Sequence, residues 1–277
     1  MGRHTIEGKP RMLLNDKVAV IYGGGGAIGG AAARVFAREG ATVFLVGRTQ
    51  RRLDTIAREI TASGGKVETA QLDVLDETAV AKHASAVATQ AGGIDIVLNA
   101  TSAMHDQGTL LADLSMEAFM VPIDGFLRPL FSTSKAVAPH MGSRRPGVIL
   151  TLTAPASKMT VPGHLGHIVS CAAIEAFSRA LAGELSPRNV RVICIRSHAI
   201  ADAPEAGSYT GDLFAPKAEA AGVSVSQWLD GAAQTTMLKR LPTLRDVAET
   251  AAFLASDRAG AMTAAVANLT CGAVVDA

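Results

Sequence analysis

Disulfide chemistry is the first thing this 277-residue chain lacks: its three cysteines, Cys171, Cys194 and Cys271, lie far apart with no metal-ligand spacing. A scattered, odd set excludes a disulfide framework and predicts a reducing, cytoplasmic setting with no metal site. Charge of one sign is missing too. The formal net charge is +1 and the charges are interspersed, so no basic face argues for nucleic acid. Two uncharged stretches, 18–33 and 259–275, are the obvious places to look for a membrane span. The first holds six glycines, and the second is broken by Gly260, Thr263, Asn268, Thr270 and Gly272. Neither has the continuous apolar character a span needs. Residues 1–10 hold no apolar segment of a secretion signal, and internal repeats and low-complexity tracts are absent. What remains reads as a soluble globular chain, 48% hydrophobic, with apolar material for a large core and an oligomer interface.

The stretch Tyr22-Gly23-Gly24-Gly25-Gly26-Ala27-Ile28-Gly29-Gly30 organises the rest. An apolar run at 18–21 leads into it and a helical segment at 31–39 leads out. Strand, glycine turn and helix in that order open a nucleotide-binding α/β fold. Glycines let the chain turn without a Cβ clash, and backbone N–H groups with a helix N-terminus behind them suit a phosphate. The pattern predicts a bound dinucleotide.

Beyond the glycines the chain alternates. Strands are expected at 18–22, 42–46, 67–72, 94–98, 148–152, 190–195 and 265–269. Helices are expected at 27–39, 50–62, 77–90, 115–140, 164–185 and 244–255, with Pro122 and Pro129 breaking or kinking the fourth. Residues 1–14 read as an extension with a turn near Lys9-Pro10. Residues 197–236, rich in glycine and proline, read as an irregular lid or binding loop. The alternation predicts a single domain over 15–277, α/β, with a doubly wound parallel sheet.

Several motifs in order identify a likeness. Tyr22-Gly23-Gly24-Gly25-Gly26-Ala27-Ile28-Gly29, Asp73-Val74, Leu98-Asn99-Ala100-Thr101 and the tail from Arg240-Leu241-Pro242-Thr243 to Phe253-Leu254-Ala255-Ser256-Asp257 stand in the family's order and spacing. From about residue 14 to 275 the chain resembles the short-chain dehydrogenase/reductase superfamily. The resemblance implies a Rossmann-type fold, a nicotinamide cofactor, a small-molecule carbonyl or alcohol substrate, and a homodimer or homotetramer. Its interface would be built on the helices at 113–140 and 164–185. Cofactor contacts carried over are Gly23, Gly26, Ala27, Ile28 and Gly29 at the pyrophosphate, Asp73 and Val74 at the adenine, and Asn99 and Ala100 beneath the adenosine. At the end of the second strand, Arg48 and Thr49 stand where NAD enzymes keep an acid. Arg48 is suited to a 2′-phosphate, so NADP(H) is expected over NAD(H). The blander readings are a strand-end cap for Asp73, a turn former for Asn99 and a solvated helix start for the arginines.

The same likeness implies an Asn-Ser-Tyr-Lys catalytic set, and here this sequence departs from it. The tyrosine position holds His167, the lysine position Cys171, the serine position Ala154 and the asparagine position Phe126. Beyond the sixth strand, the family's Pro-Gly is Ser197-His198, preceded by Arg196, and a threonine is replaced by Asp202. Three readings follow: an oxidoreductase in which His167 takes the proton role with His164 or His198 assisting; a non-redox lyase or isomerase; and a cofactor-binding pseudoenzyme serving as a regulatory or structural subunit. Cys171 and His167 have the i, i+4 spacing of a thiolate–imidazole pair, although buried cysteine is more often a small hydrophobe. Cys194 and Cys271 read as packing, and Lys158 as a solvated loop residue. His164, His198 and Arg196 around a pocket would favour an anionic substrate.

Overall fold

The computed structural model describes residues 12–276, so the turn expected at Lys9-Pro10 lies outside the described residues. Seven strands form one parallel sheet in the order β3-β2-β1-β4-β5-β6-β7. They are β1 (Val18–Tyr22), β2 (Thr42–Gly47), β3 (Lys66–Gln71), β4 (Ile96–Asn99), β5 (Gly147–Thr153), β6 (Val190–Ser197) and β7 (Ala265–Leu269). Among the described residues, eight α-helices accompany them: α1 (Ala27–Arg38), α2 (Gln50–Ala62), α3 (Glu77–Ala91), α4 (Met116–Val137), α5 (Leu165–Leu185), α6 (Thr210–Ala220), α7 (Val225–Gln234) and α8 (Leu244–Ala255).

Side-chain alternation on β1 divides the interior into two layers. Ala19 and Ile21 join Phe36 of α1, Ile56 of α2 and Ala251 of α8 on one face. Val18, Val20 and Tyr22 join Val80 of α3, Val137 of α4 and Leu185 of α5 on the other. Both faces are covered, which is why the strands read as short continuous apolar runs. The strand order reverses between β1 and β4, where Tyr22 is paired with both Val46 and Asn99. The loops leaving these carboxyl ends diverge, and a crevice opens there.

Capping divides the helix starts into two groups. Asp76 caps α3 through Ala79 N–H (2.9 Å), and Ser115 caps α4 through Ala118 N–H (3.1 Å). Reciprocal capping boxes close α7 (Ser224 with Gln227) and α8 (Thr243 with Asp246). By contrast α1, α2 and α5 begin at Gly26, Thr49 and His164 with no side-chain cap. Those three starts all line the crevice.

Three expectations are corrected. The segment at 197–236 is not irregular throughout: it holds α6 and α7, because Leu213, Phe214 and Leu229 bury a small core with Leu241 that outweighs Gly211 and Pro216. Helix α4 runs unbroken through Pro122 and Pro129, whose rings are buried as the helix packs against α3 and α5. Tertiary packing here exceeds the cost of the two missing donors. Finally, the extension does not reach residue 14. Leu14 is fully buried and its N–H donates to Glu39 O at 2.9 Å. One segment, Leu165–Arg188, is long and apolar enough to cross a membrane; in this fold it is α5, packed on α4 and β6.

Candidate active site

A cavity of about 1050 Å³ runs across the carboxyl ends of the strands from the glycine turn to α6 and α7. Gly23 has φ +80°, and a Cβ there would lie 2.3 Å from Ala100 O. A Cβ on Gly29 would come equally close to Gly23 O. The turn and the start of α1 are therefore closed to any residue larger than glycine at these two points. The first-turn N–H groups of α1 have no intrahelical acceptor, no side-chain cap and no acidic residue beside them. That donor set fits the pyrophosphate of a dinucleotide.

Gly23, Gly26, Ala27, Ile28, Arg48 and Thr49 line this end, as do Asp73, Val74 and Ala100 further along. Arg52, one helical turn past Arg48, lines it too. Among the described residues neither arginine makes an ion pair, and no carboxylate stands at the end of β2. Asp73 accepts a hydrogen bond from Leu75 N–H (3.0 Å) with Oδ1, leaving Oδ2 free. Gly29 and Asn99 do not line the cavity. Gly29 seats the first turn of α1 against the backbone of Gly23. Asn99 is buried beneath, where its Oδ1 accepts from Thr133 Oγ1 (2.6 Å) and its Nδ2 has no protein partner.

The opposite end brings together His167, Cys171, Ala154 and Phe126, all lining the same cavity. His167 sits in the first turns of α5. Its ring stacks on that of His105 (centroids 4.5 Å apart, planes at 17°), and His105 meets Phe126 edge-on at 5.6 Å. Burial first, then the neighbouring His105, His164 and Lys217, push His167 down to about 3. His167 is therefore a neutral imidazole at neutral pH, and the expectation of a histidine titrating near pH 7 is corrected. Cys171 Sγ lies 3.8 Å from both His167 ring nitrogens, and burial pushes its thiol up. A thiolate–imidazole pair is excluded by those two shifts, since neither group ionises near neutrality. Burial likewise keeps Cys194 protonated, pushed up to about 12.

His198 lines the cavity, and its Nδ1 accepts from Ala199 N–H at 2.7 Å. Arg196, expected beside the pocket, faces away from it. It is 1% exposed and grips Glu175 with two bonds of 2.9 Å, while its third nitrogen reaches Asp276. Lys158 is exposed and outside the cavity, as expected of a solvated residue.

Sequence reasoning missed the other half of this end. Lys217 of α6 donates to Gln107 Oε1 (2.6 Å) and to His164 Nε2 (2.9 Å). Gln107 Nε2 in turn donates to His105 Nε2 (3.1 Å), and His105 Nδ1 donates to Ala103 O (2.9 Å). His164 Nδ1 donates to Pro162 O (2.8 Å). These directions are mutually consistent only if both histidines are neutral Nδ1–H tautomers. One sequence signal marked Lys217: it shares the apolar spacing of Leu213, Phe214 and Ala218, where a charge is out of place.

A parallel, doubly wound sheet with a glycine-turn cavity at its switch point is the architecture of a nucleotide-dependent oxidoreductase, and the chain belongs to the short-chain dehydrogenase/reductase superfamily. The matching family model, described as enoyl-(acyl carrier protein) reductase, covers residues 25–273. The chain is 29% identical over 269 residues to the 3-oxoacyl-(acyl-carrier-protein) reductase FabG of Thermotoga maritima, covering 95% of this chain and all of the relative. To the oxidoreductase UcpA of Salmonella typhimurium it is 29% identical over 256 residues, 90% of this chain and 91% of the relative. Among solved structures, a 7α-hydroxysteroid dehydrogenase complexed with NADH and 7-oxo glycochenodeoxycholic acid superposes with a TM-score of 0.80. Its identity is 26%, covering 96% of this chain and 97% of that one.

Proposed function

We propose that this protein is an NADP(H)-binding oxidoreductase for a small carbonyl or alcohol, working with a non-standard site in which His167 replaces the family's tyrosine. One observation carries the cofactor half: Arg48 and Arg52 face the cavity at the end of β2 with no carboxylate partner. A 2′-phosphate offers such arginines charge-assisted hydrogen bonds worth about 1.5–3 kcal/mol each. NADPH is expected to bind about tenfold or more tightly than NADH by calorimetry. Arg48→Ala is expected to erase most of that difference while leaving NADH affinity unchanged. Equal affinities in the unaltered protein, or tighter NADH, would sink the assignment.

A nicotinamide cofactor held by the glycine turn, Arg48 and Arg52 would supply hydride chemistry at this cavity. His167, as a neutral imidazole, keeps one N–H that can donate to the carbonyl oxygen and steady its growing negative charge, the completing proton coming from solvent. A donor of this kind is worth about 10²–10³ in rate, so His167→Ala should lower kcat/KM for a carbonyl substrate by that factor. An unchanged kcat/KM removes His167 from the chemistry.

One observation favours a second reading. With His167 held neutral, Cys171 protonated, and Ala154 and Phe126 lacking a proton to give, none of the four groups at the family's catalytic positions matches a general acid poised near pH 7. Tight NADPH binding with no turnover on a broad carbonyl and alcohol panel would identify a cofactor-binding pseudoenzyme. Assembly into a homo-oligomer is supported by exposed apolar side chains on α4 and α5, among them Val121, Phe131 and Val169.

A further inference from the structure

The substrate end of the cavity carries one ammonium, Lys217, that has no ion-pair partner among the described residues. The titratable lining of this end is His105, His164, His167 and His198, whose pKa values burial lowers, Cys171 and Tyr209, whose pKa values burial raises, and Lys217. The cavity's one carboxylate, Asp73, belongs to the opposite end, beside Val74 and the glycine turn. Asp106, the acidic group nearest in effect to Lys217, forms no ion pair with it. Its oxygens accept instead from Thr109 N–H (3.2 Å) and Thr109 Oγ1 (2.8 Å).

An ammonium has three N–H donors. Lys217 spends two of them on neutral acceptors, Gln107 Oε1 and His164 Nε2, and its Nζ lies 5.9 Å from the centroid of the Trp228 ring. Two neutral hydrogen bonds and an aromatic face position the charge without cancelling it. Burial lowers the Lys217 pKa, which is the mark of a cation short of a counter-charge. A second, independent feature points the same way: α5 begins at His164 without a side-chain cap, so the positive end of its dipole lies at the residue Lys217 holds. Around these donors the walls are apolar, supplied by Val161, Leu213, Phe214 and Trp228.

We propose that Lys217 is a specificity-determining residue and that the substrate is an amphipathic oxo or hydroxy acid whose carboxylate takes the third Lys217 N–H. The assignment rests on the reading of this cavity as an oxidoreductase site and names its substrate class. His164, which Lys217 holds, is the N-cap residue at the start of α5, and His167 follows it by three residues in the first turn, both lining the cavity. The carboxylate therefore lies a few bonds from the carbonyl that faces His167. Specificity arises because a neutral analogue leaves the ammonium desolvated and unpaired.

The test compares 3-benzoylpropionate with its primary amide, which match in shape and differ in charge, by calorimetry with and without saturating NADPH. The acid is expected to bind at least about tenfold more tightly than the amide. Lys217→Met is expected to abolish that preference and Lys217→Arg to retain it. Equal binding of acid and amide, absence of binding by either, or a preference that survives in Lys217→Met overturns the assignment. If Lys217→Met does not fold, Lys217→Gln gives the same comparison with a polar side chain. Failure of the cofactor reading registers separately, as loss of NADPH binding, and leaves the acid-to-amide comparison without nucleotide intact.

Discussion

Arg196→Met is expected to lower the stability of the protein by about 3–5 kcal/mol, the usual result of leaving a buried charge without its partner. Arg196 is 1% exposed and forms a two-pronged bond with Glu175, which also accepts from Ser157 Oγ. Burial alone would push the Glu175 carboxyl up, and the bonds from Arg196 and Ser157 outweigh it to hold the group below the usual carboxylate range. Removing the guanidinium strands an anion between α5 and β6. The double substitution Arg196→Met/Glu175→Met removes both charges and is expected to recover most of the loss, since an apolar pair of similar volume is often as stable as a buried ion pair. Chemical denaturation of the two single variants and the double variant measures this as a thermodynamic cycle. Single variants within about 1 kcal/mol of the parent would show that the pair is solvated after all.

Acidification from pH 7 to pH 5 is expected to destabilise the fold well before its carboxylates protonate. Burial lowers the pKa of five histidines, His83, His105, His164, His167 and His198. For a base held below its ordinary pKa, the unfolded chain takes up the proton that the folded chain refuses. Stability is then complete above the unfolded value near 6.5 and is lost as pH falls through the window down to the folded value. His167, pushed down to about 3, has the widest window. By linkage it alone removes about 2 kcal/mol between pH 7 and pH 5. The other four act in the same direction over narrower ranges. Denaturant titrations at pH 7, 6 and 5 follow the loss, and His167→Asn should flatten it. Equal stability at pH 7 and pH 5 would mean that water reaches these imidazoles in the folded protein.

The parts of the fold that follow one local rule were legible from residues alone. The apolar run before Gly23 and the alternation of strands and helices place the sheet correctly, because each reports backbone geometry directly. Proline and glycine misled where packing decides. Pro122 and Pro129 interrupt donors but not α4, and Gly211 and Pro216 hid α6 and α7 inside a segment read as loop. The site divided in the same way. Residues attached to the glycine turn or to strand ends line the cavity, apart from Gly29 and Asn99, which support it from behind. His105, Gln107 and Lys217 come from a loop after β4 and from α6, separated by over a hundred positions in the chain. Only their hydrogen bonds reveal the grouping, and no local pattern encodes those. Protonation was equally hidden: His167 and Cys171 invite a thiolate–imidazole pair by spacing, and burial disfavours the charged form of each.

The capping pattern has a kinetic consequence. With α1, α2 and α5 opening uncapped on one crevice, about half an elementary charge per helix start converges there. A net charge of only +1 gives the whole molecule almost no field to draw in a distant anion. Steering is therefore short-sighted: at physiological salt it reaches about one Debye length, near 8 Å, beyond the mouth of the cavity. Anionic ligands meet the molecule by unaided diffusion and are focused only over the last ångströms. Their capture rates should respond weakly to ionic strength, and the selectivity for negative charge should reside in how slowly they leave.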